Sequence, residues 1–431
     1  MKISDLYAIF KEYPTVTTDT RNCPPDSIFI ALKGDNFNGN AFAKQALDLG
    51  CRYAVVDEEE YATHPNILLV DDCLKALQDL ANYHRRQFKI PILGVTGSNG
   101  KTTTKELILS VLSQEYNVIA TQGNYNNHIG VPLTLLRITK EHEIAIIEMG
   151  ASHLGEIETL ARIAEPNFGL ITNIGRAHLE GFGSYENIKK GKSELYDFIR
   201  TTKEGKVFVD SSNEVLMDLA EGMTIIPYAF GDNKDELFVT GRVLASSPFL
   251  KMEWCMASTC FEVETNIVGT YNLSNALAAV TIGKYFGVKS ELICRALETY
   301  EPRNNRSQLK ETGRNMLIID AYNANPTSMK AALDNFTSME VNNKVLILGD
   351  MKELGPDSDV EHQKIADMLV CNGFEQVLLV GENFSHVETK YSRYKDFLHL
   401  KDFLVENPIK NSYVLLKGSR GMHLEDCIEL L

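Results

Sequence analysis

The chain has 431 residues, a length that calls for more than one domain, each with its own core. Its 58 acidic and 43 basic side chains give a formal charge of −15, which argues against duplex nucleic acid or an anionic membrane as main partner, since both reward clustered Lys and Arg. No stretch approaches the roughly 18–20 unbroken apolar residues of a membrane span, and acidic residues interrupt MKISDLYAIFKEYPT (1–15), so neither a span nor a secretory signal is expected and the location expected is cytoplasmic.

Residues 1–84 hold short apolar runs, SIFIAL (27–32), YAVV (53–56) and NILLV (66–70), around the helical stretch FAKQALDLG (42–50). They predict a small α/β domain, and a helix over about 74–88 leads out of it. Residues 85–300 alternate strand and helix. IPILGVT (90–96), NVIAT (117–121), EIAIIEMG (143–150), FGLITNI (168–174) and KVFVD (206–210) are near-continuous apolar runs, as in a parallel sheet covered on both faces. Over 236–268 the pattern turns to the alternation of antiparallel strands, and NLSNALAAVTIGKYFG (272–287) predicts a closing helix. Residues 301–431 alternate again, with strands NMLIID (315–320), KVLILGD (344–350), QVLLVGE (376–382) and SYVLLKG (412–418). The expected fold is α/β in three domains: a small N-terminal one, a central P-loop domain with a parallel sheet, and a Rossmann-like C-terminal one. The eight cysteines (23, 51, 73, 255, 260, 294, 371, 427) include no CxxC pair and predict buried, reduced thiols, with no disulfide frame or zinc site.

The densest chemical signal is GVTGSNGKTTTK (94–105), between the strand candidate IPIL and a helical pattern. A Gly-rich turn there lets backbone N–H groups converge on a phosphate at a helix N-terminus. Lys101 adds a cation for the terminal phosphates, and the Thr102 hydroxyl can reach a phosphate-bound Mg²⁺. The first glycine slot of the full Walker pattern is Val95, leaving G-x-x-G-K-T at Gly97, Gly100, Lys101 and Thr102. Strand, GKTT and helix together predict a nucleoside triphosphate site.

Other polar positions gain meaning from this loop. Glu148 ends an apolar strand, where a carboxylate can face a nucleotide's Mg²⁺ or, equally on position alone, face solvent or cap the next helix. His178 follows another apolar strand, and adjacent parallel strands would bring Glu148 and His178 to the sheet edge that carries Lys101. Lys192 lies on the helical pattern YENIKKGKSELYDFI, where a lysine is normally a solvated charge. GNYNNHIGVP (123–132), with Asn126 and Asn127, is either turn chemistry or a polar substrate surface.

TGSNGKTTTK, GNYNNHIGVP, EMGAS, ITNIGRAHLEGFGS, GTYNLSNALAA, DAYNANPTSM, GDMKELG and LLKGSRGMHLE occur in this order along the whole chain. The set resembles the Mur ligases of bacterial cell-wall synthesis. DAYNANPTSM and the N-terminal segment TTDTRNCPPDSIFIALKGDNFNGNAFAKQALDLG are similar to the member that joins D-alanyl-D-alanine to UDP-N-acetylmuramoyl-tripeptide. The resemblance implies an ATP-dependent ligase that works through an acyl phosphate, as a monomer, with domain roles of UDP-sugar binding (1–84), ATP binding (85–300) and dipeptide binding with closure over ATP (301–431). It implies that Gly97, Ser98, Asn99, Gly100, Lys101, Thr102 and Thr103 grip ATP, with Asn272 and Asn275 near the adenine. Arg306, Asp320 and Asn323 would reach the nucleotide from the third domain. Two Mg²⁺ ions are implied, one at Thr102 and Glu148 and the other at His178 and a carbamylated Lys192. Asp19, Thr20 and Arg21 fall where the family has Asp-Ser-Arg in its UDP pocket, and Asn126 and Asn127 would meet substrate. A folylpolyglutamate synthase would lack the N-terminal segment and YNANP, a GTPase switch would need an N-K-x-D motif, and a silent UDP-sugar-binding module would not need Lys101, Glu148, His178 and Lys192 together.

Overall fold

A computed structural model describes residues 1–231, 238–303 and 305–431, so positions 236 and 237 of the alternating stretch lie outside the described residues. The fold is α/β, with three main sheets drawn in turn from three successive parts of the chain. The first sheet pairs Val16–Thr17, Ile28–Ile30, Tyr53–Val56 and Ile67–Leu69 in that order, all parallel. Helix Cys73–Arg85 follows and starts where the Asp72 carboxylate accepts from Lys75 N at 2.8 Å. Its far end is tied to the second part of the chain, with His84 Nε2 2.8 Å from Ile138 O and Arg85 Nε donating to Ala164 O at 2.9 Å.

The central sheet has nine strands. Its parallel part includes Lys206–Asp210, Phe168–Ile171, Ile92–Thr96, Ile144–Glu148 and Val118–Ala120, side by side in that order. Every residue of Ile92–Thr96 and Ile144–Glu148 is buried, as strands covered on both faces require. The antiparallel region is a hairpin, Lys251–Met256 against Thr259–Glu264, beside Val239–Ala245. Strand Thr224–Phe230, TIIPYAF, is an addition to the expected set; the proline inside it masks a strand pattern. Helix Asn272–Tyr285 is followed by a further one, Ser290–Thr299.

The expectation of reduced thiols fails at one place. Cys255 and Cys260 form a disulfide. They face each other directly across the hairpin, with Cα atoms 4.1 Å apart, a proximity that comes from strand pairing and that a CxxC search misses.

The third sheet runs Gln308–Glu311, Met316–Asp320, Tyr413–Lys417, Lys344–Gly349, Gln376–Val380, Ser392–Tyr394, parallel except for the first strand. Its two edge strands, QLKE and SRY, are polar enough to escape an apolar-run search. Among the described residues no helix is long and apolar enough to cross a membrane.

Candidate active site

Strand Ile92–Thr96 lies between the strands that end near His178 and at Glu148. Thr96 is in register with Ile171 on one side, and Val95 with Glu148 on the other. Parallel pairing thus delivers three sequence-distant strand ends to one edge of the sheet, beside the loop 97–100.

That loop's shape depends on its glycines. Gly97 and Gly100 have φ of 140° and 79°, and a Cβ at Gly97 would stand 2.0 Å from Thr172 Oγ1. Asn99 N donates to Asn173 Oδ1 at 3.0 Å, and Ser98 Oγ to Gly175 O at 2.9 Å, which tie the loop to the neighbouring strand end. Helix Lys101–Leu112 then begins with Gly100 at its N-cap and no capping side chain. First-turn amides left this way, together with the helix dipole, form an anion site.

Lys101 Nζ donates to Gly97 O at 2.7 Å and to Ser98 O at 3.1 Å. Burial pulls its pKa down to about 8, against the opposing pull of Glu148. A phosphate nearby would reverse that shift, because an opposite charge favours the ammonium form. Thr102 Oγ1 donates to Glu148 Oε1 at 3.1 Å, and Asn126 Nδ2 donates to the same oxygen at 2.8 Å. Glu148 Oε2 is buried and has no partner among the described residues. A buried carboxylate oxygen left free beside a threonine hydroxyl is a donor set that fits a hard divalent cation.

Lys192, on helix Tyr185–Arg200, is buried, with Nζ 3.0 Å from Ala151 O and 5.1 Å from the Phe182 ring centroid. Burial, and then the neighbouring charge of Lys101, drives its pKa well below the ordinary lysine range. Both effects favour the neutral amine over the ammonium.

Ser98, Asn99, Gly100, Lys101, Thr102, Thr103, Asn126, Asn127, Glu148, His178, Asn272, Asn275, Arg306, Asp320 and Asn323 all line one cavity of ≈ 1570 Å³. Gly97, Lys192, Asp19, Thr20 and Arg21 are not among its lining residues. Arg21 instead pairs with Asp19, Nη2 to Oδ2 at 2.7 Å, in an exposed turn. Some lining residues also hold structure: Asn127 Oδ1 accepts from Gly130 N at 2.9 Å, and Asn275 links Thr104 to Asn272 through bonds of 2.9 and 2.8 Å. The C-terminal part closes the cavity's far wall. Asn325 Nδ2 donates to Asn99 Oδ1 at 2.7 Å, Arg306 stacks on Tyr322 with 3.7 Å to the ring centroid, and Lys417 Nζ reaches Asp320 Oδ2 at 2.5 Å.

Among the lining residues that sequence reasoning passed over are Asp210, Tyr322, Glu353 and Lys417. Asp210 and Lys417 each end an apolar strand, KVFVD and YVLLK, the same signal that marks Glu148. Tyr322 and Glu353 lie inside quoted motifs, but only the folded chain brings them to the cavity.

The fold and this cavity define a multidomain P-loop α/β protein whose loop faces a second α/β domain. The chain belongs to the Mur ligase family. Three family models match it in succession: "Mur ligase family, catalytic domain" over residues 12–85, "Mur ligase middle domain" over 95–283 and "Mur ligase, glutamate ligase domain" over 305–420. The UDP-N-acetylmuramoyl-tripeptide–D-alanyl-D-alanine ligase of Bacillus subtilis is 36% identical over 427 residues, covering 96% of this chain and 92% of the relative. A crystal structure of MurF from Acinetobacter baumannii superposes with a TM-score of 0.87 at 31% identity, covering 96% of this chain and 93% of that one. MurF ligase from Thermotoga maritima, in complex with ADP, gives 0.86 at 25% identity and covers 100% and 98%.

Proposed function

We propose that this chain is the ATP-dependent ligase that joins D-alanyl-D-alanine to UDP-N-acetylmuramoyl-tripeptide. The observation that carries the reading is that the P-loop, Glu148 and His178 of the central domain line one cavity together with Arg306, Asp320 and Asn323 of the C-terminal one. ATP phosphorylates the tripeptide's terminal carboxylate, the dipeptide amine attacks the acyl phosphate, and the tetrahedral adduct collapses to peptide and inorganic phosphate. Transfer between two anions requires charge neutralisation and alignment more than a protein nucleophile. Lys101 answers the first need at the β- and γ-phosphates, and the uncapped turn of residues 100–103 the second. Asn272 and Asn275 serve the adenosine side, while Arg306, Asp320 and Asn323 cover the nucleotide and exclude water from the acyl phosphate.

Thr102 and Glu148 would hold one Mg²⁺, and His178 with a carbamylated Lys192 a second. Bound there, the ions supply positive charge to phosphate and carboxylate oxygens. We assign residues 1–84 to the UDP-sugar through Asp19, Thr20 and Arg21, 85–300 to ATP, and 301–431 to the dipeptide and to closure, with Asn126 and Asn127 towards the acceptor. A phosphate-release assay tests the reading. Release should require both UDP-N-acetylmuramoyl-tripeptide and D-alanyl-D-alanine, and ATP turnover indifferent to both would overturn it.

A further inference from the structure

Glu353, in the segment GDMKELG, crosses from the C-terminal part of the chain to the central one, where its Oε2 rests against Nδ1 of His178. Both residues have left-handed backbones, φ 63° for Glu353 and 54° for His178. Non-glycine residues hold that conformation only where their surroundings impose it, and such positions gather at functional sites. Here the segment from Arg176 to Glu180 is tied to the C-terminal part of the chain at several points. Glu180 N donates to Glu353 O at 3.0 Å, Arg176 N to Thr327 Oγ1 at 3.1 Å, and Arg176 Nη1 lies 3.5 Å from Glu361 Oε1.

The loop behind Glu353 is anchored as well. Met351 N donates to the buried His362 Nε2, and Lys352 N to Ser419 Oγ, both at 3.0 Å. Asp350, fully buried, accepts from Asn383 N and Phe384 N, also at 3.0 Å. The carboxylate is thus presented on a braced support.

An ionised carboxylate only accepts, so the contact favours a proton on His178 Nδ1, and in the neutral ring that metal ligation requires the lone pair is then on Nε2. We propose that Glu353 is a positioning residue. It holds the His178 ring in the Nδ1–H tautomer and, because it comes from the C-terminal domain, does so only when that domain is docked on the central one. Closure and readiness of the acceptor-side ligand are then one event, since the lid itself brings the group that orients the ligand. The inference rests on the ligase reading and on His178 as a ligand in it. Partners that orient a metal-ligating histidine are commonly worth 10- to 100-fold. Glu353 has about half its side chain in solvent, so screening places it near the lower figure.

The test uses the full chain and three variants. Glu353→Ala removes the acceptor. Glu353→Gly removes it too but relieves the left-handed backbone, so a merely structural role predicts an equal or higher melting temperature and undiminished turnover. Glu353→Gln keeps an acceptor oxygen and should lie in between. The expected result is a kcat about tenfold lower in the alanine and glycine variants, with KM for ATP within about twofold of the parent. Nitrogen-15 imidazole spectra of histidine-labelled protein, with His178 identified by its loss in His178→Gln, should show the Nδ1–H form in the parent bound to a non-hydrolysable ATP analogue. The alanine and glycine variants should show a tautomer mixture under the same conditions. Parent-like kcat in Glu353→Gly, or an unchanged His178 signal, overturns the proposal. A parent that ligates nothing would instead overturn the ligase reading, and the imidazole comparison would still decide the role of Glu353.

Discussion

Replacing Gly100 by alanine puts a methyl group where the P-loop meets helix Asn272–Tyr285. The new Cβ would lie 2.6 Å from Asn275 Oδ1, closer than such contacts allow, on a backbone with φ of 79°. Asn275 has little freedom to retreat. It is 8% exposed, its Oδ1 accepts from Thr104 Oγ1 at 2.9 Å, and its Nδ2 donates to Asn272 Oδ1 at 2.8 Å. The left-handed backbone costs about 1 kcal/mol with a side chain present, and bending or breaking two buried hydrogen bonds costs about 1–2 kcal/mol each. Gly100→Ala should therefore destabilise the central domain by about 3–5 kcal/mol, a large share of the roughly 5–15 kcal/mol a domain has. Urea unfolding followed by Trp254 reads this directly, since it is the chain's single tryptophan and is buried in the central sheet. Adding Asn275→Ala should cost less than the sum of the two changes, because it removes the group that the methyl strikes. A Gly100→Ala midpoint equal to that of the parent would refute the steric argument.

Lys101→Ala should fold normally and lose ligation by about 10²- to 10³-fold or more, as when one charge or donor is taken from a transition state; near-normal turnover would remove Lys101 from the mechanism. Lys192→Ala should spare ATP binding, abolish ligation and recover partly with a small added carboxylate. Carbon-13 NMR of active enzyme after labelling with bicarbonate should show a carbamate, and its absence would rule the modification out. In the N-terminal domain the hydrogen bonds from Arg21 hold Asp19 down at about 2, so the pair is complete above the ordinary carboxylate value of 3.8 and weakens as pH falls towards 2. A carbon-13 titration of the Asp19 carboxyl should find that low midpoint, and Arg21→Ala should return it towards the ordinary value; an unchanged midpoint would sever the pair. A protein starting near Arg85, if it folds, should keep ATP affinity and lose UDP-N-acetylmuramoyl-tripeptide by calorimetry, whereas unchanged acceptor affinity would place the UDP site elsewhere.

The phosphate loop was legible in the sequence because everything that makes it lies within a dozen residues: a buried strand, two glycines, a lysine and a helix start. Most interior strands of the three domains were legible for a similar reason, since an apolar run reports burial on both faces whatever its partners. TIIPYAF and the polar edge strands were not, because a proline or one solvent-facing side removes that signal. Strand order was a matter for the tertiary structure. Only the placement of Ile92–Thr96 between Phe168–Ile171 and Ile144–Glu148 joins Glu148 and His178 to the loop. Lys192 shows the same division: its helix is plain in the sequence, but a lysine's charge state depends on how much water and which charges surround it, and here burial beside Lys101 decides it. Cys255 with Cys260, Asn99 with Asn325 and His178 with Glu353 are pairs of the same kind. Periodicity and motif record what each segment buries, whereas the meeting of distant segments depends on how whole sheets and domains pack against one another.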